Sequence, residues 1–356
     1  MTGFAKRLIA WQRRHGRHDL PWQQARTPYR VWVSEIMLQQ TQVATVVGYF
    51  ERFMQRFPDL PTLAAAPLDD VLAHWSGLGY YSRARNLHRA ARIVAEDHDG
   101  ELPTDVDALQ ALPGIGRSTA AAILALAHDR RHAILDGNVK RVLARHAAID
   151  GWTGAPAVLQ TLWTLAEQRT PARDVGIYTQ AIMDLGATIC TRSRPACEDC
   201  PVNDDCAALA TDRVHALPTP RPRRAVPLKR THMLLIRSDD RVLLLRRPPA
   251  GLWGGLWGLP EAEDTENAVE QCRALTGRPP ARIAAWPAFT HVFTHFRLEI
   301  TPLLLDADTR NTRADRVMDT TDRVWYKTGS TPPGGLAAPV TRLLARLTQT
   351  EEEIRR

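Results

Sequence analysis

Four of the five cysteines fall within 17 residues and are the residues whose chemistry the sequence shows most directly. They are Cys190, Cys197, Cys200 and Cys206, separated by six, two and five residues. Four thiolates in so short a loop can hold one compact metal centre, either structural zinc or an iron–sulfur cluster. The single CxxC pair favours the cluster slightly, because zinc ribbons usually combine two such pairs. Cys272 stands alone and is expected to be a buried packing residue.

A glycine-containing turn, Leu-Pro-Gly-Ile-Gly at 112–116, precedes a predicted helix that begins near Arg117. Gly114 and Gly116 permit a tight backbone turn, and the amides at the helix N-terminus suit a phosphate group. An ordinary helix–helix turn could carry the same residues, so that alternative stays open. Twenty residues beyond Gly116 stands Asp136, whose side chain can cap the next predicted helix.

Glu35 stands among apolar residues in the segment 32–43, WVSEIMLQQTQV. A carboxyl group in such surroundings tends to have a raised pKa and can hold a proton at neutral pH. From helical periodicity alone, a solvated glutamate on a helix face is the simpler interpretation.

These residues lie in a first half whose apolar pattern predicts helices. Apolar side chains recur at helical spacing through roughly the first 212 residues, for example from Val31 to Phe50 and from Leu87 to Val94. Glycines and prolines divide the segments. Near residue 215 the composition changes, and 217–227 holds four prolines and three arginines, which predicts a stiff, extended linker.

Beyond this linker the pattern predicts strands. Apolar runs at 231–236 and 241–245 flank a turn at 238–240, which predicts a hairpin, and further strands are predicted at 289–300 and 323–326. One helix is predicted over 268–275. We therefore predict a helical domain at 1–215, a linker at 216–229 and a smaller α+β domain at 230–356.

Length and charge bound the class of protein. A chain of 356 residues suits two domains, and its net charge of +7 is compatible with a polyanionic partner, although an arginine-rich composition alone gives the same sign. No apolar run reaches the roughly 20 residues that cross a bilayer. The charged N-terminus shows no signal peptide, so a cytoplasmic protein without a membrane partner is expected.

In combination and in order, these motifs resemble those of the MutY-like adenine DNA glycosylases, over roughly residues 4–345. The cysteine spacing, with Pro195 and Pro201 beside two of the cysteines, resembles the 4Fe–4S loop of the endonuclease III and MutY family. The resemblance implies a mainly α helix–hairpin–helix glycosylase domain with an iron–sulfur cluster loop, plus an α+β nudix-like C-terminal domain. It also implies that the four cysteines bind a 4Fe–4S cluster whose role is structural and DNA-sensing.

The implied reaction is excision of adenine mispaired with 8-oxoguanine or guanine, on a base flipped out of the duplex. Carried over, Glu35 is the general acid that protonates adenine at ring nitrogen 7. Asp136 supports the developing sugar cation, and Asn138 helps to position these groups and the water. The two carboxyl groups follow the logic of glycoside hydrolysis, applied to an N-glycosidic bond.

Further residues are assigned to substrate and DNA by the same resemblance. Trp22 and Gln180 belong to the adenine pocket, Gln40 fills the space near the mispair, and Tyr80 wedges into the base stack. Core packing is the plainer account of Trp22 and Tyr80. The residues assigned to the DNA backbone are Gly114, Gly116, Arg83 and Arg85.

One position separates two branches of the superfamily. Members that also cut the strand carry a lysine just after the hairpin, whose amine forms a Schiff base with the sugar. Here that position is Ser118, which cannot form the imine and is assigned to the substrate pocket. The resemblance therefore implies a monofunctional glycosylase.

The second half resembles a nudix strand and loop at 246–260. The acidic stretch that follows, 261–273, does not make the Arg-Glu and Glu-Glu pattern that holds magnesium, so we expect the fold without hydrolysis. Phe293, Thr294 and His295 match the family's loop for recognising the oxidised base.

Three alternatives are weighed against this interpretation. A bifunctional glycosylase/lyase for oxidised pyrimidines is opposed by Ser118 and by the extra domain. A non-catalytic DNA-binding protein is opposed by Glu35 together with Asp136, and a nudix hydrolase by the broken acidic motif. We therefore predict a bacterial-type, cytoplasmic, nucleoid-associated monomer that acts on double-stranded DNA containing A:8-oxoguanine or A:G mispairs.

Overall fold

The computed structural model describes residues 2–222, 225–249, 251–293, 295–307 and 322–355, with side chains to residue 349. Contacts divide the chain into two compact units, each built from two stretches of sequence. The first unit contains Met1–Ala65 and Asn86–Arg223, and the second contains Ala66–Arg85 and Arg224–Arg356. Residues 66–85 therefore group with the second unit, although they lie in the helical part of the sequence.

The chain before the linker is helical, as its apolar periodicity predicts. The helices are α1 (Gly3–His15), α2 (Pro28–Leu38), α3 (Val43–Arg56), α4 (Leu60–Ala65), α5 (Leu68–His74), α6 (Ser82–Asp97), α7 (Val106–Ala111), α8 (Arg117–His128), α9 (Gly137–His146), α10 (Pro156–Arg169), α11 (Val175–Asp184) and α12 (Ala207–Ala210). A π-helical turn, Leu185–Ile189, continues α11 toward the cysteine loop. No helix in the described part of the chain is long and apolar enough to cross a membrane.

Helix α2 carries Glu35 and is fixed by its N-terminal cap and by its buried side chains. Thr27 caps its first turn by accepting a hydrogen bond from the amide of Arg30, and Pro28 supplies the fixed φ that suits a first helical position. Trp32 and Met37 are fully buried, and α2 packs against α8 and α3. Burial of these large side chains sets the rotation of the helix and hence the direction in which Glu35 points.

A buried carboxylate ties the N-terminal segment to α11. Asp184 is completely buried and accepts hydrogen bonds from Gln12 and Gln180, each at 2.9 Å. It also accepts from the amide of Arg17 at 3.0 Å and from its guanidinium, whose Nε lies 2.9 Å away. A buried charge is tolerated only with such pairing, because desolvation costs several kcal/mol per ion.

The second unit contains a mixed sheet and agrees with the predicted α+β class. Its strands are β1 (Leu228–Ser238), β2 (Arg241–Arg246), β3 (Trp257–Gly258), β4 (Glu261–Ala262), β5 (Arg282–Ala285), β6 (Phe289–Val292), β7 (Arg297–Asp306) and β8 (Arg323–Lys327). The main order is β3-β2-β1-β7-β5, with β4 on β1, β6 on β7 and β8 on β2. Strands β1 and β7 pair in parallel, and the other pairs are antiparallel.

The predicted hairpin at 231–245 is confirmed, since β1 and β2 pair around the turn with Ser238 opposite Arg241. The single run predicted at 289–300 is instead two strands, β6 and β7, whose pairing leaves 293–296 as the connection between them. The predicted helix is α13 (Thr265–Thr276), and a last helix, α14 (Ala338–Arg355), closes the chain. Cys272 is buried in the core of this unit, as expected.

Within the predicted linker, the described residues 216–222 and 225–227 contain no helix or strand beyond an isolated bridge at Thr219, whereas residues 228 and 229 already belong to β1. The contact division at Arg223 falls inside this segment. The domain boundaries at 215 and 230 stay a prediction.

We predict that Asp184→Asn lowers the free energy of unfolding by about 3 kcal/mol. The change removes the charge that pairs with Arg17 while it keeps the shape of the side chain. The matched control is Asp174→Asn, because Asp174 pairs with Arg13 at 3.2 Å on an exposed surface and is expected to matter by less than about 1 kcal/mol. Urea unfolding followed by tryptophan fluorescence measures both, and equal small losses would contradict the prediction.

Candidate active site and metal centre

A cavity of about 310 Å³ in the first unit brings the three predicted catalytic residues together with three of the predicted substrate-binding residues. This volume is in the range of small-molecule sites. The predicted residues that line it are Trp22, Glu35, Ser118, Asp136, Asn138 and Gln180. They come from α2, α8, α9, α11 and the segment after α1, so the site depends on the packing of the whole unit.

Glu35 is the carboxyl group whose environment favours the protonated form. It is half-buried in α2 and faces the cavity. Burial, and secondarily the negative charge of Asp136, raises the pKa of Glu35 to about 8. The group therefore holds a proton at neutral pH, and the apolar surroundings seen in the sequence, rather than solvation on a helix face, decide its state.

Asp136 lies in a more compensated environment. Its side chain accepts a hydrogen bond from the amide of Val139 at 2.7 Å and caps α9, which confirms the predicted N-cap. Burial raises the pKa of Asp136, whereas backbone hydrogen bonds from Val139 and Asn138 and the charges of Arg141 and Lys140 lower it. Burial outweighs these influences and leaves the pKa of Asp136 above its usual value, but the hydrogen bonds and the cationic neighbours reduce the shift.

Ser118 holds the segment that carries Asp136. Its hydroxyl accepts a hydrogen bond from the amide of Leu135 at 2.9 Å, so the start of α8 is tied to the residue just before Asp136. None of the described residues that line the cavity is a lysine. The site therefore presents two carboxyl groups and amide side chains but no amine.

The amide side chains are held from behind. Arg141 donates from Nη2 to the Asn138 side-chain oxygen at 2.8 Å, and Gln180 donates to Asp184 at 2.9 Å. Trp22 is buried at the cavity wall, where its ring meets the Phe50 ring edge-on at 5.6 Å. With a proton donor, a carboxylate and fixed amides around one space, the cavity can protonate a leaving group and stabilise positive charge beside it.

Some cavity residues were missed by sequence reasoning. Arg17, Gln39 and Met183 also line the cavity. Arg17 lies in a polar stretch after α1, and no local motif marks it, because its position depends on the distant Asp184. Gln40 is exposed beyond the end of α2 with a left-handed φ of 58°, and its neighbour Gln39 is the one that lines the cavity. The role predicted for Gln40 stays a prediction.

The predicted hairpin lies between α7 and α8. Gly114 has a φ of 81°, and a Cβ there would come within 2.9 Å of the Cβ of Asn86, so the position requires glycine on two counts. Gly116 caps α8 with no side-chain hydrogen bond to its first amides. The phosphate contact predicted for these amides stays a prediction.

The four cysteines of the predicted metal site line one small cavity together with Arg145. Arg145 donates to the Sγ of Cys190 at 3.4 Å and to the carbonyl of Thr191 at 2.7 Å. Burial, with the charges of the other three thiolates, raises the pKa of Cys200 to about 11. Four ionised thiolates here therefore need a strong cation to hold them, which iron supplies, and the residues fit an iron–sulfur cluster.

In the part of the chain that the structure describes, no three histidine, cysteine or acidic side chains surround a point that could take a single metal ion. The assignment of a cluster therefore rests on the four thiols of this cavity and on the sequence match reported below.

The residues predicted to wedge into DNA lie in the second unit. Tyr80 is 44% exposed, whereas Arg83 is only 8% exposed and donates to the carbonyl of Gly79 at 3.1 Å. Arg85 donates to the carbonyl of Gly254. The phosphate contacts predicted for both arginines stay predictions, although both guanidinium groups face backbone carbonyls of their own unit.

The predicted recognition loop contains a cluster of aromatic side chains. Phe293 stacks on Phe296 with ring centroids 4.4 Å apart, and Trp253 packs against Phe293 at 5.4 Å. His295 is exposed beside them. Thr294, the remaining residue of this prediction, lies outside the described residues.

Comparison with family models gives three matches along the chain. Residues 33–168 match the HhH-GPD superfamily of base excision DNA repair proteins, and 190–206 match the iron–sulfur binding domain of endonuclease III. Residues 231–346 match a NUDIX domain. The match over residues 190–206 decides between zinc and an iron–sulfur cluster, a choice that the cysteine spacing left open. The cofactor is a 4Fe–4S cluster.

The chain is similar to curated proteins over nearly its full length. The adenine DNA glycosylase of Buchnera aphidicola subsp. Schizaphis graminum (strain Sg) is 35% identical over 342 residues, which cover 96% of this chain and 97% of that protein. The adenine DNA glycosylase of Mus musculus is 36% identical over 369 residues, which cover 86% of this chain and 71% of that protein.

Two solved structures share the fold of the helical part. A thermostable thymine-DNA glycosylase aligns with a TM-score of 0.53 and 28% identity, over 58% of this chain and 95% of that chain. A non-covalent endonuclease III–DNA complex aligns with a TM-score of 0.50 and 22% identity, over 58% of this chain and 94% of that chain. At the lower identity the likeness concerns the fold alone.

We predict that Glu35→Gln removes a pH dependence from the stability of the protein. Glu35 binds its proton with a pKa of about 8 in the folded chain, against an ordinary value of 4.5. The contribution of protonated Glu35 to the free energy of unfolding is fully present below pH 4.5 and is lost as the pH rises through 8. The free energy of unfolding should fall relative to the variant by at most about 1.4 kcal/mol per pH unit in this window.

Chemical unfolding at a series of pH values measures this difference. Glu51→Gln is the matched control, since Glu51 is an exposed residue of α3. Parallel curves for the wild type and Glu35→Gln would show that Glu35 titrates normally.

We predict that Cys197→Ser loses most of the bound iron, because it removes one of four ligands of the cluster. Cys272→Ala is the matched control and should keep the full iron content, since Cys272 packs in the core of the other unit. Iron and inorganic sulfide are measured per chain. Full iron in Cys197→Ser would remove Cys197 from the ligand set.

Proposed function

Because the chain belongs to the adenine DNA glycosylase family, we propose that it excises adenine mispaired with 8-oxoguanine or guanine and cleaves only the N-glycosidic bond. Membership of this family makes the chain an enzyme of base excision repair that hydrolyses an N-glycosyl bond. The observation that supports the proposed chemistry is the pair Glu35 and Asp136, which face one cavity. Burial raises the pKa of both, and Asp136, unlike Glu35, has hydrogen bonds and cationic neighbours that oppose the shift.

Glu35 supplies the proton. With a pKa of about 8 it is protonated at neutral pH and still acidic enough to donate, which is the condition for an efficient general acid. The resemblance places this proton on ring nitrogen 7 of adenine. Protonation makes the base a neutral leaving group, so the N-glycosidic bond can break.

Asp136 stabilises the sugar that the base leaves behind. Its carboxylate, held by the amide of Val139 and by the charge of Arg141, supplies negative charge to an oxocarbenium-like sugar. Asn138 is fixed through its side-chain oxygen by Arg141, so its amide N–H groups are left to orient the attacking water.

The cavity accepts a flipped base. Its volume of about 310 Å³ accommodates a purine, and Trp22 and Gln180 provide an apolar wall and an amide for recognition. A base inside the duplex could not reach Glu35, so the target nucleotide leaves the stack. The uncapped amides of α8 and the hairpin glycines support binding of the phosphates on the same strand.

The absence of an amine supports the monofunctional assignment. Schiff-base formation requires a lysine against the sugar, and none of the described cavity residues is a lysine. Ser118 stands at the position of that lysine and is engaged with Leu135. The 4Fe–4S cluster, when bound, holds the loop of the four cysteines in its folded form.

Recognition of 8-oxoguanine is assigned to the second unit. The described residues of the predicted loop, Phe293 and His295, offer an aromatic surface and a hydrogen-bonding ring. The partner is double-stranded DNA that contains the mispair, and we propose that the chain acts on it as a monomer.

We predict that Glu35→Gln slows adenine excision by about 10²- to 10⁴-fold, the usual contribution of a general acid. A single-turnover assay uses a duplex with adenine opposite 8-oxoguanine and iron-loaded protein. In the wild type, strand breaks are expected only after alkali, and the rate should fall as the pH rises through about 8, when Glu35 loses its proton.

The matched control for this assay is Glu51→Gln, which should retain the wild-type rate. Breaks without alkali, trapped by borohydride, would show a lyase and contradict the monofunctional proposal. No excision by iron-loaded wild type would show that this mispair is not the substrate.

A further inference from the structure

Resting on the proposed function, we infer that Arg83 is a positioning residue that holds the ring of Tyr80 ready to enter the DNA base stack. This differs from the phosphate contact that the sequence suggested for Arg83.

Tyr80 is an exposed aromatic residue on a strained backbone. Its side chain is 44% exposed, and its φ of 49° lies in the left-handed region that side chains other than glycine rarely adopt. A residue stays in that region only where its surroundings determine it. The fold therefore maintains a costly conformation in order to present one ring to solvent.

The turn before Tyr80 is fixed by hydrogen bonds from side chains. The carbonyl of Gly79 accepts from Nε1 of Trp75 and from Nη2 of Arg83, both at 3.1 Å. The amide of Gly77 donates to the Tyr81 hydroxyl at 3.2 Å, and that hydroxyl donates onward to the carbonyl of Leu336 at 3.1 Å. These bonds tie the turn to the interior of the second unit.

Arg83 lies between a buried ring and the exposed one. The carbon at the centre of its guanidinium is 5.4 Å from the ring centroid of Trp75 and 5.4 Å from that of Tyr80. Trp75 is completely buried, so one side of this arrangement is immobile. Burial lowers the pKa of Arg83 to about 10, which leaves it charged at neutral pH and able to attract both ring faces.

The placement of Arg83 suits positioning better than phosphate binding. With 8% of its surface exposed and a donor committed to Gly79, it would have to leave its site to meet a phosphate. Fixing Tyr80 in advance lowers the entropy lost when the ring enters the stack, which strengthens binding without a new contact to DNA. Loss of Arg83 should therefore act only through Tyr80.

A double-mutant cycle tests this coupling. Arg83→Met, Tyr80→Ala and the double variant are compared for affinity toward a duplex with adenine opposite 8-oxoguanine, in a Glu35→Gln background that spares the duplex. We expect Tyr80→Ala to weaken binding about tenfold, the loss of one stacked base, and Arg83→Met to weaken it several-fold. In the Tyr80→Ala background, Arg83→Met should cause no further loss.

A fluorescence readout and a control variant separate positioning from a general structural effect. A 2-aminopurine beside the 8-oxoguanine reports the local unstacking, and this fluorescence change should fall in Arg83→Met. Arg92→Met, an exposed arginine of the same helix α6 that pairs with Glu96 at 3.5 Å, is the matched control and should keep the full signal. If Arg83→Met fails to fold or to load iron, Arg83→Lys replaces it in the double-mutant cycle. Arg83→Lys should also weaken binding, though less, because its ammonium keeps the charge but lacks the planar fork of donors.

The outcomes are distinct. Coupled losses with an unchanged salt dependence support the inference. Additive losses, with the slope of log affinity against log salt reduced by about one, would assign Arg83 to a phosphate and overturn it. Adenine excision by the wild-type protein is measured first on the same duplex: its failure overturns the proposed function and this inference together, whereas excision with additive losses overturns the inference alone.

Discussion

The hydrogen bond from the amide of Val139 to Asp136 starts α9, the helix that links the active site to the cysteine loop. One turn in, Arg141 reaches the side chain of Asn138 and the carbonyls of Gly186 and Cys190. The next turn carries Arg145, which donates to the sulfur of Cys190 and to the carbonyl groups beyond it. One short helix thus fixes the second carboxyl group of the active site at its start and the first cluster ligand along its length.

The two carboxyl groups differ in what opposes the effect of burial, which raises the pKa of both. Burial disfavours the charged form at both, but Asp136 has two backbone donors and two cationic neighbours to oppose it. The charge of Asp136 further raises the pKa of Glu35. The negative charge that Asp136 carries when it is ionised therefore favours the proton on Glu35, and this arrangement suits a proton donor beside an anion in one small cavity.

Local signals in the sequence predicted much of this architecture. The cysteine spacing, the glycine turn and the cap at Asp136 each depend on a few neighbouring residues, so they could be seen without the fold. Arg17 could not be found in this way, because its position in the cavity is set by the distant Asp184. Arg83 is predicted from the sequence to bind the DNA backbone, but its burial between Trp75 and Tyr80 depends on the folded turn. The same holds for the break of the strand at 293–296 and for the grouping of 66–85 with the second unit, which depend on pairing and packing across the chain.

That grouping has a consequence for how the chain can be divided. Residues 66–85 pack with the C-terminal part, as the bond from Tyr81 to Leu336 and the ion pair of Asp69 with Arg246 show. A fragment that ends at the linker would keep this segment but lose the surface on which it packs. The second domain is therefore not an interchangeable module. A recombination event that replaced the C-terminal part of the second unit would also have to match the twenty residues at 66–85, which are encoded far upstream. The two parts of the second unit must therefore evolve together.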